Sequence, residues 1–119
     1  MRDIEHKIQR GCVSWFRLQY PQYRTLLFAV PNGGARDAIT GSRLKDEGVT
    51  AGVADLLLLV PRHGYHGLCI EMKTKGGSQS QSQKEWQKAV ERQGYMYVVC
   101  RSIEEFIETV TAYLTEKQV

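Results

Sequence analysis

Two apolar runs, Leu56-Leu57-Leu58-Leu59-Val60 and Leu68-Cys69-Ile70, flank the segment Arg62-His63-Gly64-Tyr65-His66-Gly67, and this spacing constrains the fold more than any other part of the chain. Each run is too short for a helix, and Gly64 permits a tight reversal, so the pair reads as a β-hairpin. The rest of the chain supplies helices around this hairpin.

It does so in a regular order. Ile4, Ile8, Cys12, Trp15 and Phe16 recur at helical spacing, predicting an amphipathic helix over residues 3–19 that Pro21 stops. Residues 26–30 form a short apolar strand ended by Pro31-Asn32-Gly33-Gly34, and a second helix spans residues 35–47 up to Gly48. After the hairpin, Trp86, Ala89 and Val90 mark a helix to Gln93; either Ser80 with Gln83 or Ser82 with Glu85 caps its start. Residues 95–100 are a further strand, and Ser102 caps a last helix carrying Phe106, Ile107, Val110 and Leu114. The order α-β-α-β-β-α-β-α predicts an α/β fold: one domain over residues 1–119, with a mixed central sheet flanked by helices. No internal repeat or linker interrupts it.

Composition narrows the setting. A chain of 119 residues has room for one modest core. No apolar run approaches the ~20 residues that cross a bilayer, and no signal-like segment opens the chain, which predicts a cytoplasmic protein without a membrane partner. Cys12, Cys69 and Cys100 are odd in number and widely spaced, so they read as buried reduced thiols with no zinc or disulfide framework. A net charge of +3 is compatible with nucleic acid without being diagnostic.

The chemistry concentrates on the hairpin. Asp55 stands at the mouth of the first strand, and Glu71-Met72-Lys73 closes the second. A strand interior rarely keeps a carboxylate without a partner. If Gly64 centres the reversal, Asp55 lies opposite Lys73, with Asp55 and Glu71 as diagonal neighbours roughly 7–8 Å apart. Glu71 and Lys73 share a face, because side chains alternate along a strand. Two carboxylates this close repel unless a cation lies between them, and hard oxygen donors favour Mg²⁺ or Mn²⁺, to which the backbone carbonyl of Met72 would add a further oxygen. Lys73 would then hold or help deprotonate an attacking water. An isolated Glu-x-Lys is more often a simple ion pair; Asp55 in register with it favours the metal reading.

Asp followed by Glu-x-Lys on a hairpin resembles the PD-(D/E)xK nuclease superfamily. The surrounding residues narrow the resemblance to its VRR-NUC group, the virus-type replication-repair nucleases. The matching pieces are Glu5 in the first helix, Pro31-Asn32-Gly33-Gly34 with Arg36, Gly48, Gly52-Val53-Ala54-Asp55-Leu56, Glu71-Met72-Lys73, and Ser80-x-x-Gln83-x-x-Trp86 with Gly94-Tyr95. Ala54 departs from the pattern, which has proline there. The resemblance implies a restriction-endonuclease-like fold and metal-dependent hydrolysis of DNA phosphodiesters. It also implies that Glu5 lends a carboxylate to the metal centre, directly or through water. Stand-alone members of this kind, from phage and bacteria, further imply a homodimer that cuts branched DNA such as four-way (Holliday) junctions. The last helix and the Trp15-Phe16 end of the first are candidate dimer surfaces.

Other residues are weaker signals. Gln83 shares a helix face with Trp86 and Val90, so it is placed to bond a reactive water or a phosphate, or else to complete the Ser80 capping box. Arg36, Arg43, Lys45 and Lys75 are candidates for tracking DNA phosphates, and Asn32 and Gly33 for presenting backbone N–H groups to one; solvated helix faces and a plain turn explain them equally. His63-x-x-His66 lacks a third ligand and reads as exposed turn histidines. The competing function on the same fold is a nucleic-acid-binding or assembly module without catalysis.

Overall fold

The computed structural model describes residues 2–31 and 38–116. Its elements are α1 (Arg2–Gln19), a 3-10 turn (Pro21–Tyr23), β1 (Leu27–Ala29), α2 (Ala38–Asp46), β2 (Leu56–Leu58), β3 (Leu68–Met72), α3 (Gln81–Arg92), β4 (Met96–Cys100) and α4 (Ile103–Leu114). The four strands form one mixed sheet in the order β1-β2-β3-β4: β1–β2 and β2–β3 are antiparallel, and β3–β4 is parallel across the α3 crossover. β1 and β2 are shorter than the apolar runs that announced them, β3 runs two residues past its own to Met72, and the 3-10 turn was not visible in the periodicity.

Alternation along the strands sorts the core into two layers. Leu56, Leu58, Leu68, Ile70, Met72 and Cys100 face α1 and α4, where Cys12, Phe16, Phe106, Val110 and Tyr113 complete the larger cluster. Cys69 and Tyr97 face the other way, with Leu57 and Val99, against Trp86 and Val90 of α3. Central β3 is buried along its whole length, and every residue in it except Glu71 is apolar. Glu71 lies in that buried strand and, by the same alternation, turns to the α3 layer.

Two expectations need correction. The hairpin tip is His63-Gly64, both at positive φ, closed by a bridge between Arg62 and Tyr65. Three residues separate Leu58 from Arg62 but only two separate Tyr65 from Leu68, so the first arm carries an extra residue. With Leu56 paired to Ile70 and Leu58 to Leu68, the same register brings Asp55 level with Glu71, not Lys73. The shift is even, so the facing of each side chain is unchanged. The second correction concerns the suggested dimer surfaces. Phe16 is fully buried, Trp15 packs edge-on to Phe106 at 6.1 Å, and the apolar face of α4 is consumed by the same core.

Candidate active site

The site is built where the carboxyl ends of β3 and β4 meet the start of β2 and the first turn of α3, the side of an open sheet where ligands commonly bind. Glu71 is its buried member, 2% exposed. Asp55, half-buried just before β2, accepts a hydrogen bond at 2.6 Å from the backbone N–H of Met72, which locks the start of β2 onto the end of β3. Lys73 follows on the Glu71 face, with Nζ 3.8 Å from Glu71 Oε2.

The α3 terminus holds the carboxylate from above. Ser80 caps α3, accepting from the N–H of Gln83, while the N–H of Ser80 donates to Gln83 Oε1 at 2.8 Å. That second bond fixes which end of the Gln83 amide faces the sheet. Gln83 Nε2 donates to Glu71 Oε2 at 3.0 Å, so the capping role and the site role belong to one side chain. The Ser82 alternative for the cap falls away. Gly52 makes the close approach possible: its φ is +86°, and a Cβ there would overlap the backbone carbonyl of Ser82 in the first turn of α3.

Electrostatics follow from this crowding. Burial first, and then the charge of Asp55 and a hydrogen bond with it, push the Glu71 carboxyl up to about 8, against the opposing pull of Lys73 and Tyr97. Two carboxylates held together with one lysine form a donor set of hard oxygens short of positive charge, which suits Mg²⁺ or Mn²⁺. Among the described residues no three His, Cys, Asp or Glu side chains gather at one point. A cation here would therefore take Asp55 and Glu71, with the Met72 carbonyl, water or substrate oxygens completing its shell.

The remaining sequence candidates are placed less centrally. Glu5 is half-buried on α1, whose apolar face packs on the opposite layer, and its side chain makes no hydrogen bond or ion pair with another described residue. Arg43 and Lys45 are exposed on α2. Lys75 is exposed in the turn after Lys73. Asn32, Gly33 and Arg36 lie outside the described residues. His63 and His66 are exposed and diverge, one against Tyr113 and one against Tyr95.

Sequence reasoning missed two contacts. Tyr97, buried on β4, donates to Glu71 Oε1 at 3.4 Å and accepts from Gln79 Nε2 at 3.2 Å. A tyrosine in a strand reads as core, and Gln79 sits in a Ser/Gln run, so only the α3-layer parity shared by positions 69, 71 and 97 pointed here.

Against this geometry, the VRR-NUC domain family profile matches residues 4–104, most of the chain. The chain belongs to the VRR-NUC family. A solved structure titled "VRR_NUC domain protein" superposes with a TM-score of 0.80 at 28% identity, covering 92% of this chain and 87% of that one. No curated protein matches. The VRR-NUC assignment carries a nuclease-like function and the mixed-sheet α/β fold with it. Among the described residues, no helix of this VRR-NUC chain is long and apolar enough to cross a membrane.

Proposed function

We propose that this VRR-NUC chain is a divalent-metal-dependent DNA endonuclease that acts as a homodimer on branched DNA, with the four-way junction as its preferred substrate. The observation that carries the catalytic part is the pairing of buried Glu71 with Asp55 beside Lys73, held by hydrogen bonds from Met72 and Gln83. A binding-only module would have little use for paired carboxylates that repel phosphate. The junction preference and the dimer rest on the family resemblance.

Phosphodiesters resist attack because their oxygens are anionic, and a bound Mg²⁺ or Mn²⁺ supplies charge neutralisation and a more acidic water. Asp55 and Glu71 are its proposed ligands, with the Met72 carbonyl. Lys73 orients the attacking water and stabilises the charge that grows on the phosphate. Gln83 keeps Glu71 in its rotamer, and Glu5 contributes, through water, a supporting carboxylate. Lys75, Arg43 and Lys45, together with Asn32, Gly33 and Arg36, are proposed contacts to flanking phosphates.

The test uses labelled linear duplex, flapped and four-way-junction DNA, each with Mg²⁺, with Mn²⁺ and with chelator. Metal-dependent cutting, strongest on the junction and abolished by Asp55→Asn and Lys73→Ala, is the expected result. Failure to nick any substrate with metal present would reject the enzyme and leave a binding module. Equal cutting of linear duplex would remove the junction preference alone.

A further inference from the structure

We propose that Arg101, which follows β4, is a positioning residue for Lys73. The inference rests on the nuclease reading above and adds to it a group that never touches substrate. Arg101 is half-buried, and its Nη1 donates to two backbone carbonyls, Thr74 O at 2.9 Å and Gly77 O at 2.6 Å. Those residues bracket the turn Thr74-Lys75-Gly76-Gly77, which the N–H of Gly77 closes onto Thr74 O at 3.0 Å. The turn begins immediately after Lys73. Its far end returns to the lysine: a Cβ on Gly77 would lie 3.6 Å from Lys73 Cδ, in ordinary van der Waals contact.

The lysine is thus tied at its backbone and flanked along its stem by the Gly77 end of the turn. Its backbone N–H donates to Cys100 O at 3.0 Å, one residue before Arg101, and its aliphatic chain passes beside Gly77. Between these points stand two glycines in succession, the most permissive backbone a chain can carry. Without a charged donor on its carbonyls, that turn has only one backbone hydrogen bond across it to keep its shape. Arg101 supplies the donor, and with it the direction in which the ammonium leaves the strand. The other end of the arrangement is equally tied, because Arg101 N–H donates to Glu105 Oε1 at 2.7 Å in the first turn of α4. Both bonds leave one nitrogen, so a lysine ammonium can replace them only in part, from a flexible stem that holds its direction less firmly than the planar guanidinium.

The experiment compares wild type, Arg101→Ala and Arg101→Lys in three readouts: Mn²⁺ affinity, single-turnover cleavage of junction DNA at saturating metal and DNA, and trypsin cleavage after Lys73 and Lys75. Arg101→Ala is expected to keep the wild-type Mn²⁺ affinity and DNA KM while the cleavage rate falls by about 10- to 100-fold, the usual consequence of a catalytic group displaced by about an ångström. Trypsin should open the turn in Arg101→Ala faster than in wild type, and Arg101→Lys should recover part of both effects. A wild-type cleavage rate in Arg101→Ala overturns the proposal, as does parallel loss of Mn²⁺ affinity, which would mark a general structural role. If wild type cuts no DNA, the nuclease reading fails separately, and equal trypsin resistance of Arg101→Ala and wild type then overturns the clamp itself.

Discussion

Replacing Glu71 with Gln should stabilise the metal-free protein at neutral and alkaline pH. The folded state holds the Glu71 proton up to about 8, whereas the free side chain releases it near 4.5. Between those values the folded chain binds more protons than the unfolded one, so stability is full below the lower value and declines as pH rises towards the upper one. Each pKa unit is worth about 1.4 kcal/mol, which sets a ceiling of about 5 kcal/mol over the whole window and about 3 kcal/mol between about pH 5.5 and about pH 8. For a domain of this size, ~3 kcal/mol corresponds to roughly 10 °C in Tm. Glutamine carries no such proton. It keeps an oxygen to accept from Gln83 or Tyr97, and its amide donates to Asp55 as the protonated acid would. The assay is thermal unfolding in chelator across that pH range for wild type and Glu71→Gln. The variant should gain on wild type steadily as pH rises; parallel profiles would refute the claim that Glu71 and Asp55 share a charge-poor site.

Gly52→Ala should cost at least about 1–3 kcal/mol from backbone strain at its positive φ, and more from overlap with Ser82, lowering Tm and cleavage together because the α3 terminus is pushed off Glu71. Ser80→Ala removes the acceptor for the Gln83 N–H and should cost about 1 kcal/mol, read as a drop of roughly 4 °C in Tm. Lys73→Met should abolish cleavage while leaving the unfolding transition and Mn²⁺ affinity near wild type, which separates its role from that of the carboxylates.

What the sequence disclosed, and what it withheld, follows from the range of each interaction. The hairpin and the helices were legible, because apolar spacing is a local signal. The convergence of Asp55, Glu71 and Lys73 on one side of the sheet followed from strand parity, which survives a register shift of two, and that of Gln83 from the helix face it shares with Trp86 and Val90. The register itself did not, since an extra residue in the first hairpin arm leaves no mark in composition. Tyr97, Gln79 and Arg101 reach their partners across 18 to 27 positions of sequence, and their residue types read equally well as core, loop and surface. Glu5 rests on family resemblance alone, because no local spacing ties α1, which packs on the other layer, to the hairpin.

The most direct test of the central claim is electron paramagnetic resonance of Mn²⁺ titrated into wild type and into the double variant Asp55→Asn/Glu71→Gln. The wild-type chain should deplete the free Mn²⁺ signal and the double variant should leave it intact. Equal uptake by both chains would contradict the assignment of Asp55 and Glu71 as the cation's ligands.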